Sequence, residues 1–208
     1  MASPRSTSRV LSRGDKAGFV MFLVGGVGLA VSSLVQTIIG LAAALPNRDV
    51  RLRALFVQTT AQAPIGPAGA SVPVQLDSAF ITAPTLQPAA LGALVISQVL
   101  FAAAVVTVVT LLLVLCFGIL RGRIFCRRHT VLVTAAGIAA LAGMYLVPFF
   151  YNMAVNGALA LVSDGSYDRA VVGAVDIVPI FAVAFVAALA STVFAVGDRL
   201  QRDTEGLV

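Results

Sequence analysis

Arg121-Gly122-Arg123-Ile124-Phe125-Cys126-Arg127-Arg128-His129 is a short basic stretch with a long apolar run on either side. Leu91 to Leu120 before it and Val131 to Met153 after it contain no formally charged residue. Each run exceeds the ~20 apolar residues that cross a ~30 Å hydrocarbon layer at ~1.5 Å of rise per residue. Two spans with so short a connection predict an antiparallel helical hairpin. Its turn carries Arg121, Arg123, Arg127 and Arg128, and short loops rich in Lys and Arg stay on the cytoplasmic side. That orientation propagates to the rest of the chain.

The bulk composition agrees with a chain dissolved in lipid. Of 208 residues 59% are hydrophobic and only 11% charged, and the mean hydropathy is +1.00. A soluble domain is roughly a quarter charged, so this chain has too little polar surface to cover a core in water. The net charge of +5 does not indicate nucleic acid, because the arginines flank apolar runs and do not line one polar face. Cys116 lies within a run and Cys126 in the cytoplasmic turn, where a structural disulfide is not expected.

Taken in order, residues 1–16 are a basic, Ser-rich cytoplasmic tail and 17–45 the first transmembrane helix. That run is about twice the ~7–15 residues of a signal-peptide core, so an uncleaved anchor is expected in spite of Ala42-Ala43-Ala44. Gly25, Gly26, Gly28 and Ser32 are expected to let a neighbouring span approach closely. Residues 46–88 form an extracytoplasmic segment in which Val50, Leu52, Ala54 and Phe56 alternate with Arg51 and Arg53, and Val72, Val74 and Leu76 with Gln75 and Asp77. Period-two alternation predicts a small β-hairpin, with Ala63 to Gly69 as its connection and Pro73 confined to an edge. The second transmembrane helix follows at 89–120, the basic turn at 121–130 and the third helix at 131–155. Pro148 should bend that third helix, and Tyr145, Phe149, Phe150 and Tyr151 gather beside it as an interfacial aromatic belt. An outer loop occupies 156–169, the fourth helix 170–196 and a cytoplasmic tail 197–208. The expected fold is therefore an all-α membrane protein, a four-helix bundle with a small extracytoplasmic β-hairpin between helices 1 and 2.

The arginine and lysine count supports this topology. Arg5, Arg9, Arg13, Lys16, Arg121, Arg123, Arg127, Arg128, Arg199 and Arg202 fall on inner segments, and Arg48, Arg51, Arg53 and Arg169 on outer ones. Ten against four places both termini in the cytoplasm of a multi-pass plasma-membrane protein.

Few residues are equipped for chemistry. The single histidine, His129, has no cysteine pair or carboxylate cluster at ligand spacing, so no metal or cofactor is expected. Nucleophile elbows, phosphate loops and zinc-protease motifs do not occur. Asp176 is the one carboxylate inside a predicted span, where an ionisable group costs energy and marks a candidate site. Asn152 and Tyr151 are expected to share its level, with Arg169 as counter-charge. Gln36 and Thr37, deep in the first span, are expected to hydrogen-bond a neighbouring span.

Gly122-Arg123-Ile124-Phe125 in the turn and Phe194-Ala195-Val196-Gly197-Asp198-Arg199-Leu200 in the tail carry a resemblance, as does the ending Glu205-Gly206-Leu207-Val208. The last two thirds of the chain resemble a bacterial family of four-span integral membrane proteins of unknown function. Its members have a Gly-x-x-Phe central turn and are often encoded beside a small helix-turn-helix regulator; Cys126 departs from the small polar residue usual at that position. The resemblance implies a sensing or sequestering role and brings no catalytic residues. Gly122 suits a helix end that must turn, and Phe125 a tuck beneath the helices. The expected function is that of a non-enzymatic regulatory or accessory subunit. Its docking surface comprises Arg121, Gly122, Arg123, Phe125, Arg127, Arg128, Arg199 and Arg202, facing a protein partner; the lipid bilayer surrounds the rest. The alternative is a small transporter or channel subunit using Asp176. An intramembrane enzyme ranks third, for want of a base or nucleophile pair.

Overall fold

The structure, a computed structural model, describes residues 13–121, 126–165 and 177–205. Four long helices dominate it: α1 (Arg13–Ala44), α2 (Pro88–Leu120), α3 (Arg127–Val162) and α4 (Ile177–Glu205). Each is long and apolar enough to cross a membrane, consistent with a multi-pass membrane protein. Between α1 and α2 lies an antiparallel two-stranded sheet of β1 (Val50–Ala63) and β2 (Val72–Ala83). Pro88 opens α2 at its first position, where a missing N–H costs nothing. The third helix is longer than the sequence suggested, running through Pro148 and seven residues past 155. Expected as outer loop, Asn156 to Val162 are instead the last turns of this helix.

The helices stand in a row and do not close into the expected bundle. Successive helices pack on one another, and α1 and α4 each have one principal neighbour, α2 and α3 respectively. Missing side chains set the spacing. A Cβ added at Gly143 would come within 2.6 Å of that of Ala104, one at Gly157 within 2.6 Å of Ala90, and one at Gly137 within 2.6 Å of Ala187. In lipid, where apolar burial drives nothing between helices, such close backbone approach supplies the dispersion contact that holds spans together. The α1–α2 seam differs from the sequence expectation. Gly25 and Gly28 face open space, and the close approach falls at Gly26 against Val109 and at Gly40 against the Gln98 amide. Thr37 donates to the Gln98 carbonyl across that seam at 3.2 Å.

The hairpin follows its alternation. Val50, Leu52, Ala54 and Phe56 are buried, joined with Ala90, Leu94, Val155 and Leu159 in one core, while Arg51 and Arg53 are exposed. Val50 pairs with Ala83 and Ala63 with Val72, and the register shifts between Leu55 and Thr59, where three residues of β1 face Asp77 alone. That irregularity moves the inward phase of β1 from even to odd numbers, so both halves keep a face on the helices. Asn47, in the left-handed region at φ 50°, anchors the base. Its side chain accepts from Leu86 N–H at 2.7 Å and donates to the Leu86 carbonyl at 3.0 Å. Tyr151 Oη does the same for the free edge of β1, accepting from Arg53 N–H at 2.9 Å and donating to its carbonyl at 3.3 Å. An unpaired strand edge is thereby closed by one side chain.

A pair of glycine substitutions tests this packing. Gly143→Ala should lower the thermal midpoint in detergent, with overpacking costing about 1–3 kcal/mol. Gly28→Ala, whose new methyl meets only open space, should leave the midpoint unchanged or raise it.

Candidate functional site

The end of the molecule opposite the hairpin gathers the last turn of α2, the first turn of α3 and the C-terminal turns of α4. His129 organises it. The residue is 3% exposed, as buried as any polar side chain among the described residues apart from Ser33 and Ser97. Its imidazole lies where a side chain on Gly118 would be, and its ring meets Phe194 edge-on at 6.2 Å and 80°. One histidine therefore touches all three helices. The seam continues inward through Thr134 and Ser191, whose hydroxyls are 3.1 Å apart, and then through Gly137 against Ala187. Asp198 lies one helical turn beyond Phe194 on the same face and is half-buried.

Around this buried ring the charges point outward. Arg121 follows α2 as its C-terminal cap, Arg127 and Arg128 are the first two residues of α3, and Arg199 stands on α4; all four are exposed. The first turn of α3 contains no acidic residue, and the Cys126 side chain makes no capping bond. The positive end of the helix dipole therefore adds to two arginines that would be better placed at a C-terminus. The result is a cationic surface suited to carboxylates or phosphates.

Of the other residues expected at this surface, Gly122, Arg123 and Phe125 lie outside the described residues, as does the Arg202 side chain. Asp176 and Arg169 lie outside them too. Asn152 is half-buried on α3, and Tyr151, expected near Asp176, is engaged with Arg53 on the hairpin. Of the two residues expected to bond a neighbouring span, Thr37 does so, whereas Gln36 is exposed and donates to Ser32 Oγ of its own helix at 3.2 Å. Sequence reasoning passed over His129 as one more member of a basic run. The signal was its spacing to Val133, Ala136 and Gly137, all buried with it on one helical face.

Among the described residues, Gln98 Oε1 and Asn156 Oδ1 are buried polar atoms without a hydrogen-bond partner. The larger grooves are apolar. One of about 540 Å³ is lined by Met21, Phe22 and Leu112, one of about 440 Å³ by Leu112, Ala136, Val183 and Phe194, and one of about 400 Å³ by Leu29, Phe101, Met144 and Pro148. Such walls offer a permeating ion no ligand. Among the described residues no cluster of His, Cys, Asp or Glu has metal-site geometry. No protein-family model matches the chain, and no curated protein or solved structure matches it either.

A double-mutant cycle tests the three-helix contact. Gly118→Ala should displace the imidazole and cost about 1–3 kcal/mol of stability in detergent. Adding His129→Ala should recover part of that loss, a coupling of the size seen between touching residues. Purely additive losses would separate the two residues.

Proposed function

We propose that this protein is a non-enzymatic accessory subunit of the membrane that docks an acidic protein partner at its turn-and-tail end, with both chain termini on that cytoplasmic side. The observation that carries this reading is the burial of His129 against Gly118 and Phe194. It locks three helix ends together and so presents Arg121, Arg127, Arg128 and Arg199 as one surface of fixed geometry. A merely solvated set of helix ends has no need of such a lock. The resemblance at the turn and tail points the same way, toward a sensing or sequestering role beside a regulator. Exposed arginines on such a rigid platform act on association rate and partner choice more than on raw affinity.

The full-length chain purified from mild detergent should retain an acidic protein partner at low ionic strength. Arg127→Gln/Arg128→Gln/Arg199→Gln should release it, and added salt should weaken retention because these charges are exposed to screening. A partner held equally well by the triple variant would remove the arginines from the interface. Reporter fusions at the two termini should give the same side of the membrane; opposite sides would overturn the topology.

A further inference from the structure

Arg51, Arg53, Leu55 and Phe80 project from the face of the hairpin opposite the one that packs on the helices. The guanidinium carbon of Arg51 lies 4.3 Å from the centroid of the Phe80 ring, and Arg53 Nη2 donates to Ser78 Oγ at 3.4 Å. The two arginines are two residues apart on one strand, so their rows are separated by about 7 Å. Ring stacking and the serine hold both cations to the face. Among the described residues no carboxylate pairs with either of them. Beside these cations Phe80 is 63% and Leu55 43% exposed, which is a poor arrangement in water.

The depth of this face follows from α3. Tyr151, which holds the Arg53 backbone, is 23 residues beyond Arg128, about 35 Å along the helix axis. That is a hydrocarbon thickness plus a few ångströms. With Arg127 and Arg128 among the headgroups of one leaflet, Tyr151 and Arg53 lie among those of the other. The aromatic tier beneath agrees: Tyr145 stacks on Phe149 at 6.3 Å and Phe149 meets Phe150 edge-on at 5.3 Å. The helix continues about 16 Å past Tyr151 to Val162, and the hairpin leans on this projecting end. Its other face overlooks the surrounding headgroups.

We propose that this face binds the headgroup of an anionic phospholipid in the leaflet on the hairpin's side. Arg51 and Arg53 hold the phosphate diester between them, while Phe80 and Leu55 rest on the glycerol and upper acyl chain. Guanidinium forks match phosphate oxygens in geometry and charge. A free phosphate or a soluble acidic peptide would satisfy the cations but leave the two apolar side chains in water. An amphiphile covers both. The site depends on the helices lying in a bilayer and not on which side is cytoplasmic, so it stands apart from the docking surface at the opposite end.

Native mass spectrometry of the full-length chain in neutral detergent tests this, using phosphatidylglycerol, phosphatidylcholine and inorganic phosphate as probes. It is carried out in the Arg127→Gln/Arg128→Gln/Arg199→Gln background, which lowers headgroup binding at the other end. Phosphatidylglycerol should be retained over phosphatidylcholine, and Arg51→Gln/Arg53→Gln should weaken it roughly thirtyfold, the effect of removing two cations near a charged surface. Equal retention of the two lipids, or no loss in the arginine variant, overturns the proposal. Displacement of the lipid by millimolar inorganic phosphate makes this a free-anion site and also overturns it. A second measurement needs no variant. Photoactivatable phosphatidylglycerol in nanodiscs with the unaltered protein should label peptides containing Leu55 and Phe80, and labelling confined to other segments counts against the site.

Discussion

Few apolar side chains along the four long helices are fully buried in protein. Within the most apolar window of each helix at most 11% of residues are buried, and in α4 none is. Val20, Met21, Ile38, Phe181 and Phe185 are each at least 61% exposed. In water such a surface would collapse or aggregate. In lipid it is the expected boundary, and the requirement then shifts to the backbone, whose polar groups must all be satisfied within the segment. Unbroken helices meet that requirement, and their contact with one another is left to whatever can bring backbones close. Here glycine does so, at Gly143, Gly157 and Gly137.

The same constraint explains why the two ends of the molecule differ in chemistry. Beyond the apolar layer the helix ends need polar partners and covering. At one end the hairpin supplies the cover, fastened by Asn47 to Leu86 and by Tyr151 to the edge of β1. At the other, no such cap exists among the described residues, and a histidine set against a glycine ties three helices together. Each end then displays arginines on a prepared scaffold. The proposed roles divide accordingly: a protein partner at the turn and tail, and a lipid headgroup at the hairpin. Both would read charge, but only the hairpin face also presents exposed Phe80 and Leu55.

Position along the row of helices matters as well. Because α1 packs on α2 and α4 on α3, the outer flanks of the row remain open to lipid. The grooves between helices are lined with carbon, while Gln98 and Asn156 each keep one buried oxygen unpaired. Unpaired oxygens buried in protein are costly, and the glycine opposite Gln98 at least gives its amide room.

Much of the architecture was legible in the residues themselves. Long runs almost free of charge favour helices in lipid, where every backbone group must bond within its own segment, and so four helices of spanning length followed from length and polarity. The hairpin followed from Val50, Leu52, Ala54 and Phe56 alternating with arginines, because a strand half-buried on helices must alternate. What the linear pattern left open was which small or polar residue meets which neighbour. Helical rotation turns Gly25 and Gly28 outward and Gly26 and Gly40 inward, a choice made by the packing of α1 on α2. Whether His129 is another surface cation or a buried pin depends on Gly118 and Phe194, which are 11 and 65 positions away in sequence. Only the folded arrangement brings a vacant glycine site and an aromatic edge to the same ring, because those contacts are set by helix rotation and register, which hydropathy does not encode.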